Sequence, residues 1–165
     1  MIIKGKAIKY GDDINTDIII PGRFLSIDNL EELAIHAMED LDVDFNKKFS
    51  KGDIIVAGKN FGCGSSREQA AMCLKYVGVG CIIAKSFARI FFRNAINQGI
   101  PIVESVDAVE SIGNNDELFI NYEKGIIKDT TKNIQFKIRP YPQFIREIIS
   151  KGGLVYWLLD EKIRL

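Results

Sequence analysis

Histidine is nearly absent from this 165-residue chain, where His36 stands alone. A hydrolase triad therefore has almost no local supply of imidazole, and any serine acting here as base or nucleophile must be activated by other groups. Cysteine is scarce as well. Cys63, Cys73 and Cys81 are odd in number and lack CxxC spacing, which argues against a disulfide framework and against a zinc site. Cys73 falls on an expected amphipathic helix and Cys81 on an expected buried strand, so no metal or cluster is expected to be held by this chain alone. Blocks of like charge are missing too. The 22 basic and 22 acidic residues cancel, so electrostatics point to neither a nucleic acid nor an anionic membrane as partner. No apolar run approaches the ~18 residues of a membrane span, and Lys4, Lys6 and Lys9 interrupt the stretch that a signal peptide would keep apolar, so the expected location is the cytoplasm. No repeat, linker or low-complexity tract divides the chain, which is expected to form one domain over residues 1–165.

What is present is enough apolar material, 47% of residues, for one ordinary core. Alternation in IIKGKAIKY predicts a first strand, closed by the polar turn GDDINTD and followed by the short apolar strand IIIP. Asp28 or Asn29 is placed to cap a helix over about 29–40, and a loop with Lys47, Lys48 and Lys51 follows. DIIVAG and CIIAK read as buried strands, and each leads into a helix. The first helix, REQAAMCLKYVG, stops near Gly78; the second, SFARIFFRNAINQG, is capped by Ser86 and stops near Gly99, before a third strand, IPIV. This alternation predicts an α/β fold with a largely parallel core sheet covered by helices. Beyond residue 112, ELFIN, GIIKD and IQFKI read as a β meander, and the chain closes with helical sequence broken at Gly152 and Gly153.

The chemistry concentrates in GKNFGCGSSRE, which follows a strand and opens a helix, where free backbone amides and the helix dipole favour an anion. It is neither a P-loop, since Gly64 stands where lysine is needed, nor GxGxxG, since Arg67 replaces a glycine. Ser65 with Glu68, or Ser66 with Gln69, would also make an ordinary capping box. Against that bland reading stand two glycines that admit a ligand to the backbone, two adjacent hydroxyls and a permanently charged guanidinium. That set suits a carboxylate. Backbone amides and Arg67 would stabilise a Ser65 alkoxide without histidine, which points to proton abstraction beside a carboxylate.

In GDDINTD the acids mimic the start of a calcium loop, but Ile18 and Phe24 stand where glycine and the closing glutamate are required. Asp12 and Asp13 read as turn formers, and Asp17 as the candidate functional carboxylate. Arg89 and Arg93, four apart, read as a solvated helix face.

Taken together, GDDINTDIIIPGRFL, NFGCGSSRE and SFARIFFRNAINQGIP resemble the small-subunit family of 3-isopropylmalate dehydratase, in the aconitase superfamily. The resemblance implies a swivelling β/β/α domain that works with a large subunit carrying a [4Fe–4S] cluster, as a heterodimer or heterotetramer, on a small hydroxy-dicarboxylate. It implies Ser65 as catalytic base, Arg67 and backbone amides around its alkoxide, and Ser66, with Gly64, on a substrate carboxylate. Asp17 would pair with a histidine of the large subunit that handles the departing hydroxyl, with the iron as Lewis acid. Ser26 and Ile27 would sense the group on the far carbon of the substrate. Homoaconitate-accepting relatives carry arginine at the position of Ser26 and isopropylmalate enzymes usually an apolar residue, so Ser26 matches neither, and another alkylmalate such as 2,3-dimethylmalate stays open. A carboxylate- or phosphate-binding module without chemistry is the reading from a different class.

Overall fold

The computed structural model describes residues 1–163. Alternating Ile2–Lys9 forms β1. Next to it lie the apolar strands β2 (Ile54–Ala57), β3 (Cys81–Ala84) and β4 (Ile102–Glu104), all parallel, while β5 (Glu117–Asn121), β6 (Ile126–Asp129) and β7 (Ile134–Lys137) form the meander. Among the described residues these seven strands make one sheet in the order β4-β3-β2-β1-β5-β6-β7, with β1 pairing antiparallel to β5. The fold class expected from the alternation is the one observed.

Strands buried on both faces need continuous apolar sequence, and β2 and β3 have it. Ile55, Ala57, Ile82 and Ala84 face a helical layer, while Ile54, Val56, Cys81 and Ile83 face a second core closed by the meander. The helical layer comprises α1 (Thr16–Ile19), α2 (Leu30–Ile35), α3 (Phe45–Lys48), α4 (Glu68–Val77), α5 (Arg89–Asn97), α7 (Gln143–Ser150) and α8 (Leu154–Ile163); α6 (Val106–Ser111) covers the second core. Gly78 ends α4 in the left-handed region, and Gly152 and Gly153 separate α7 from α8, as their positions in the sequence suggested.

Three local expectations are corrected. IIIP is not a strand, because the Asn15 side chain accepts from Ile18 N at 2.8 Å and starts a helix one turn long. Four residues have no helical stability of their own; burying Ile19 and Ile20 holds them, at roughly 1.5–3 kcal/mol per side chain. Ile20 is extended because Pro21 follows it. The helix expected to reach residue 40 stops at Ile35, where His36 and Ala37 tighten to bonds three residues back and Met38, at φ 59°, turns its amide to Ile19 O. Ser86 does not cap α5: Ala88 holds that position, and Ser86 Oγ accepts from Asn60 N at 3.0 Å instead. Helices α3 and α6 were not anticipated.

Candidate active site

Strands β2 and β3 end side by side, and the loops leaving their carboxyl ends form the region where open α/β sheets bind ligands. After β2 the chain runs through Asn60, Gly62 and Gly64, all at positive φ, before α4 begins. Two segments clamp this turn. On one side Gly62 N donates to Ile14 O at 2.7 Å and Thr16 N to Cys63 O at 2.8 Å; on the other Phe61 N donates to Ser86 O at 3.0 Å and Ala88 N to Phe61 O at 2.9 Å. Gly62 sits so close to α5 that a Cβ there would lie 2.1 Å from Phe91 Cγ. Only glycine satisfies both that approach and its φ of 77°.

The capping-box reading of the serines fails on geometry. Arg67 is the N-cap of α4 and neither serine bonds the first turn, so the amides at the start of the helix receive no side-chain cap. Gly64, Ser65 and Ser66 are exposed. Ser65 Oγ lies 3.0 Å from Thr16 Oγ1, which is also 3.1 Å from Ser65 O. The Arg67 guanidinium packs over Gly22, where both terminal nitrogens would lie 3.7 Å from a Cβ, and Nη1 pairs with the Asp17 carboxylate. The contact is an ion pair rather than an aligned hydrogen bond, so buried Nη1 keeps an unused donor direction. Asp17 remains 58% exposed in its side chain, open to a second protein group.

The other acids of GDDINTD were expected to form a local turn, but their carboxylates reach across to the loop after β2 instead. Asp12 accepts from Lys59 N at 2.7 Å, and Asp13 from Asn60 Nδ2 at 2.9 Å. Ser26 is exposed and Ile27 is half-buried against the helical layer, in the segment that begins with the 3-10 turn Gly22–Phe24 beneath Arg67. His36 stacks on Phe24 at 3.7 Å and bonds Glu39 through Nδ1 at 2.8 Å, a structural pairing.

Thr16 was missed in the sequence. Reading IIIP as a strand hid the helix, begun by Asn15, that presents Thr16 and Asp17 on neighbouring positions. The site also lacks the makings of a cluster. Among the described residues no group of three or more histidine, cysteine, aspartate or glutamate side chains is arranged to hold a metal. Cys73 and Cys81 lie in the two separate cores, and burial pushes each thiol up to about 12. No helix of the described residues is long and apolar enough to cross a membrane.

Two exposed hydroxyls and a half-exposed carboxylate thus lie together on this turn and the one-turn helix beside it. Residues 13–105 match the aconitase C-terminal domain family. The chain is 56% identical over 162 residues to a 3-isopropylmalate dehydratase small subunit of Caldanaerobacter subterraneus subsp. tengcongensis, covering 98% of this chain and 100% of that one. It is 51% identical to the corresponding subunit of Helicobacter hepaticus, covering 98% of each. Its backbone matches the crystal structure of a 3-isopropylmalate dehydratase from Methanocaldococcus jannaschii with a TM-score of 0.93 at 48% identity, over 99% of this chain and 96% of that one.

Proposed function

The chain belongs to the aconitase C-terminal domain family, among the small subunits of 3-isopropylmalate dehydratase, and from that premise we propose that it supplies the proton-abstracting wall of a two-chain hydro-lyase. A small subunit implies a large one. In this reading Ser65, as alkoxide, takes the proton from the substrate carbon, and the electron pair of the broken C–H bond forms the double bond as the hydroxyl leaves the adjacent carbon. Readdition of water with the opposite regiochemistry interconverts 2-isopropylmalate and 3-isopropylmalate in leucine biosynthesis. The observation that carries the reading is the exposed Ser65 hydroxyl on a clamped turn at an uncapped helix start.

Ser66 and the amides from Gly64 onward are assigned to a substrate carboxylate, and Arg67 to the charge of the bound state, with Asp17 holding it in place until the partner arrives. Asp17 is then free to orient a histidine of the large subunit. The [4Fe–4S] cluster is assigned to that subunit, in keeping with the lack of a metal-holding group of side chains among the described residues of this one. We place the whole chain, residues 1–165, as a single swivelling domain that acts in the cytoplasm as part of a heterodimer or heterotetramer. Ser26 lines the side where the substituent of the substrate differs between malates.

The test is reconstitution with the large subunit and assay on isopropylmalate, homoaconitate, dimethylmalate and citramalate. The expected result is turnover of isopropylmalate by the pair and none by this chain alone. Preference for another malate would move the substrate, and binding of carboxylates without turnover in the assembled pair would reduce the chain to a binding module.

A further inference from the structure

The residue in contact with Ser65 Oγ is not the arginine but Thr16, and no role follows for Thr16 from the reaction as proposed above. Thr16 is 1% exposed. Among the described residues the buried side chains of Asp53, Asp116, Asn121 and Asp129 all accept from backbone amides, whereas the Thr16 hydroxyl reaches the hydroxyl of an exposed serine 49 positions away. We propose that Thr16 is a positioning residue for Ser65, fixing its rotamer and donating to its oxygen when the proton leaves. The inference rests on Ser65 being the base.

Three observations support the assignment. Thr16 is β-branched and starts a helix whose amide is tied to Cys63 O, so backbone and χ1 are both constrained. Gly64 bears no side chain on the side facing Thr16; a Cβ there would stand 3.3 Å from Thr16 Oγ1 and crowd the hydroxyl. Finally, Thr16 Oγ1 lies within bonding distance of both Ser65 O, at 3.1 Å, and Ser65 Oγ, at 3.0 Å.

A hydroxyl has one proton and two lone pairs. While Ser65 is neutral, Thr16 donates to Ser65 O and accepts the Ser65 hydroxyl proton. Once Ser65 is ionised that accepted proton is gone, and Thr16 turns its own proton to the alkoxide by rotation about Cβ–Oγ1, with no heavy atom moving. A hydrogen bond to the charged form favours that form, so the alkoxide is reached at lower pH. When Ser65 takes the substrate proton, the Thr16 proton returns to the carbonyl.

The experiment is steady-state kinetics of the reconstituted enzyme against pH, with Thr16→Val, Thr16→Ala and Thr16→Ser compared in the parent and in a Ser65→Ala background. Losing a hydrogen bond to a charged group should lower kcat roughly 10- to 100-fold in the Val and Ala variants, leave KM within a few-fold, and move the rising limb of kcat about one to two pH units alkaline. Thr16→Ser should restore both. In the Ser65→Ala background, Thr16→Val should cost nothing further. If Ser65→Ala itself turned over normally, the assignment of the base would fall and this inference with it. If Ser65→Ala were inactive while Thr16→Val and Thr16→Ala kept the parent pH profile, or lost activity only through lowered stability or assembly, this inference alone would be overturned.

Discussion

Gly62→Ala is the sharpest structural test of the clamped turn. At φ 77° the added methyl costs roughly 1–2 kcal/mol in left-handed backbone strain for an L-residue. It would also stand 2.1 Å from Phe91 Cγ and 2.3 Å from Phe91 Cβ. Phe91 is 1% exposed, stacks edge-on against Phe61 at 5.2 Å and belongs to the helical core, so it cannot swing aside without repacking that core. Overpacking of this kind adds roughly 1–3 kcal/mol. The sum, about 2–5 kcal/mol, should lower Tm by roughly 4–20 °C for a domain of this size. Thermal unfolding followed by circular dichroism reads it directly. Gly11→Ala is the matched control, because its Cβ would meet nothing within 4 Å, and it should stay within about 2 °C of the parent. Equal Tm values for the two variants would refute the argument that Phe91 and the left-handed turn together demand glycine.

Thiol titration at pH 8 should find at most one reactive cysteine in the folded chain, Cys63, and three after denaturation, since Cys73 and Cys81 are buried with thiols held near 12; rapid reaction of two thiols in the native chain would contradict the burial. Burial alone would raise the Asp116 carboxyl, but Lys132 Nζ at 2.6 Å and Gly113 N at 2.5 Å outweigh it and hold the group below the ordinary aspartate range. Stability from this lowered carboxyl is therefore present above the ordinary aspartate range and lost as pH falls below it, so Tm should drop in acid, and less steeply for Lys132→Met; an unchanged acid slope in that variant would remove Asp116 from the account. Ser26→Arg should raise kcat/KM for homoaconitate, whose extra carboxylate gains a counter-ion, and lower it for isopropylmalate, which meets a desolvated charge; no change in the ratio of the two would take Ser26 out of the substrate pocket.

The sheet was legible because β2 and β3 are buried on both faces and read as unbroken apolar runs, while β1 and the meander alternate. Helices α4 and α5 were legible from their glycine stops. The failures share a cause. At IIIP, apolar content was visible but the competing instruction, an Asn15 side-chain bond to Ile18 N, was a single contact that apolar patterning does not register. At Ser86 a good capping residue was diverted by a longer-range partner, the amide of Asn60. Met38 leaves its helix because Ile19 O is waiting in another segment. In the site, Ser65, Ser66, Gly64, Arg67 and Asp17 are gathered on one turn and the one-turn helix beside it. Their pairing was not foreseeable: Arg67 engages Asp17 rather than Ser65, and Ser65 engages Thr16, because α1 is a helix and places consecutive residues 16 and 17 against opposite ends of the SSR run.

Ser65→Ala in the reconstituted enzyme, with dehydration of 3-isopropylmalate followed through the absorbance of the unsaturated product, tests the central claim most directly. Ser65 is exposed and, among the described residues, its hydroxyl bonds the Thr16 hydroxyl, so the variant should fold and assemble like the parent. The account predicts a fall in kcat of roughly 10²- to 10⁴-fold, the scale of a general base, with the size of the assembly unchanged by analytical ultracentrifugation. Turnover within a few-fold of the parent, in an intact assembly, would contradict it.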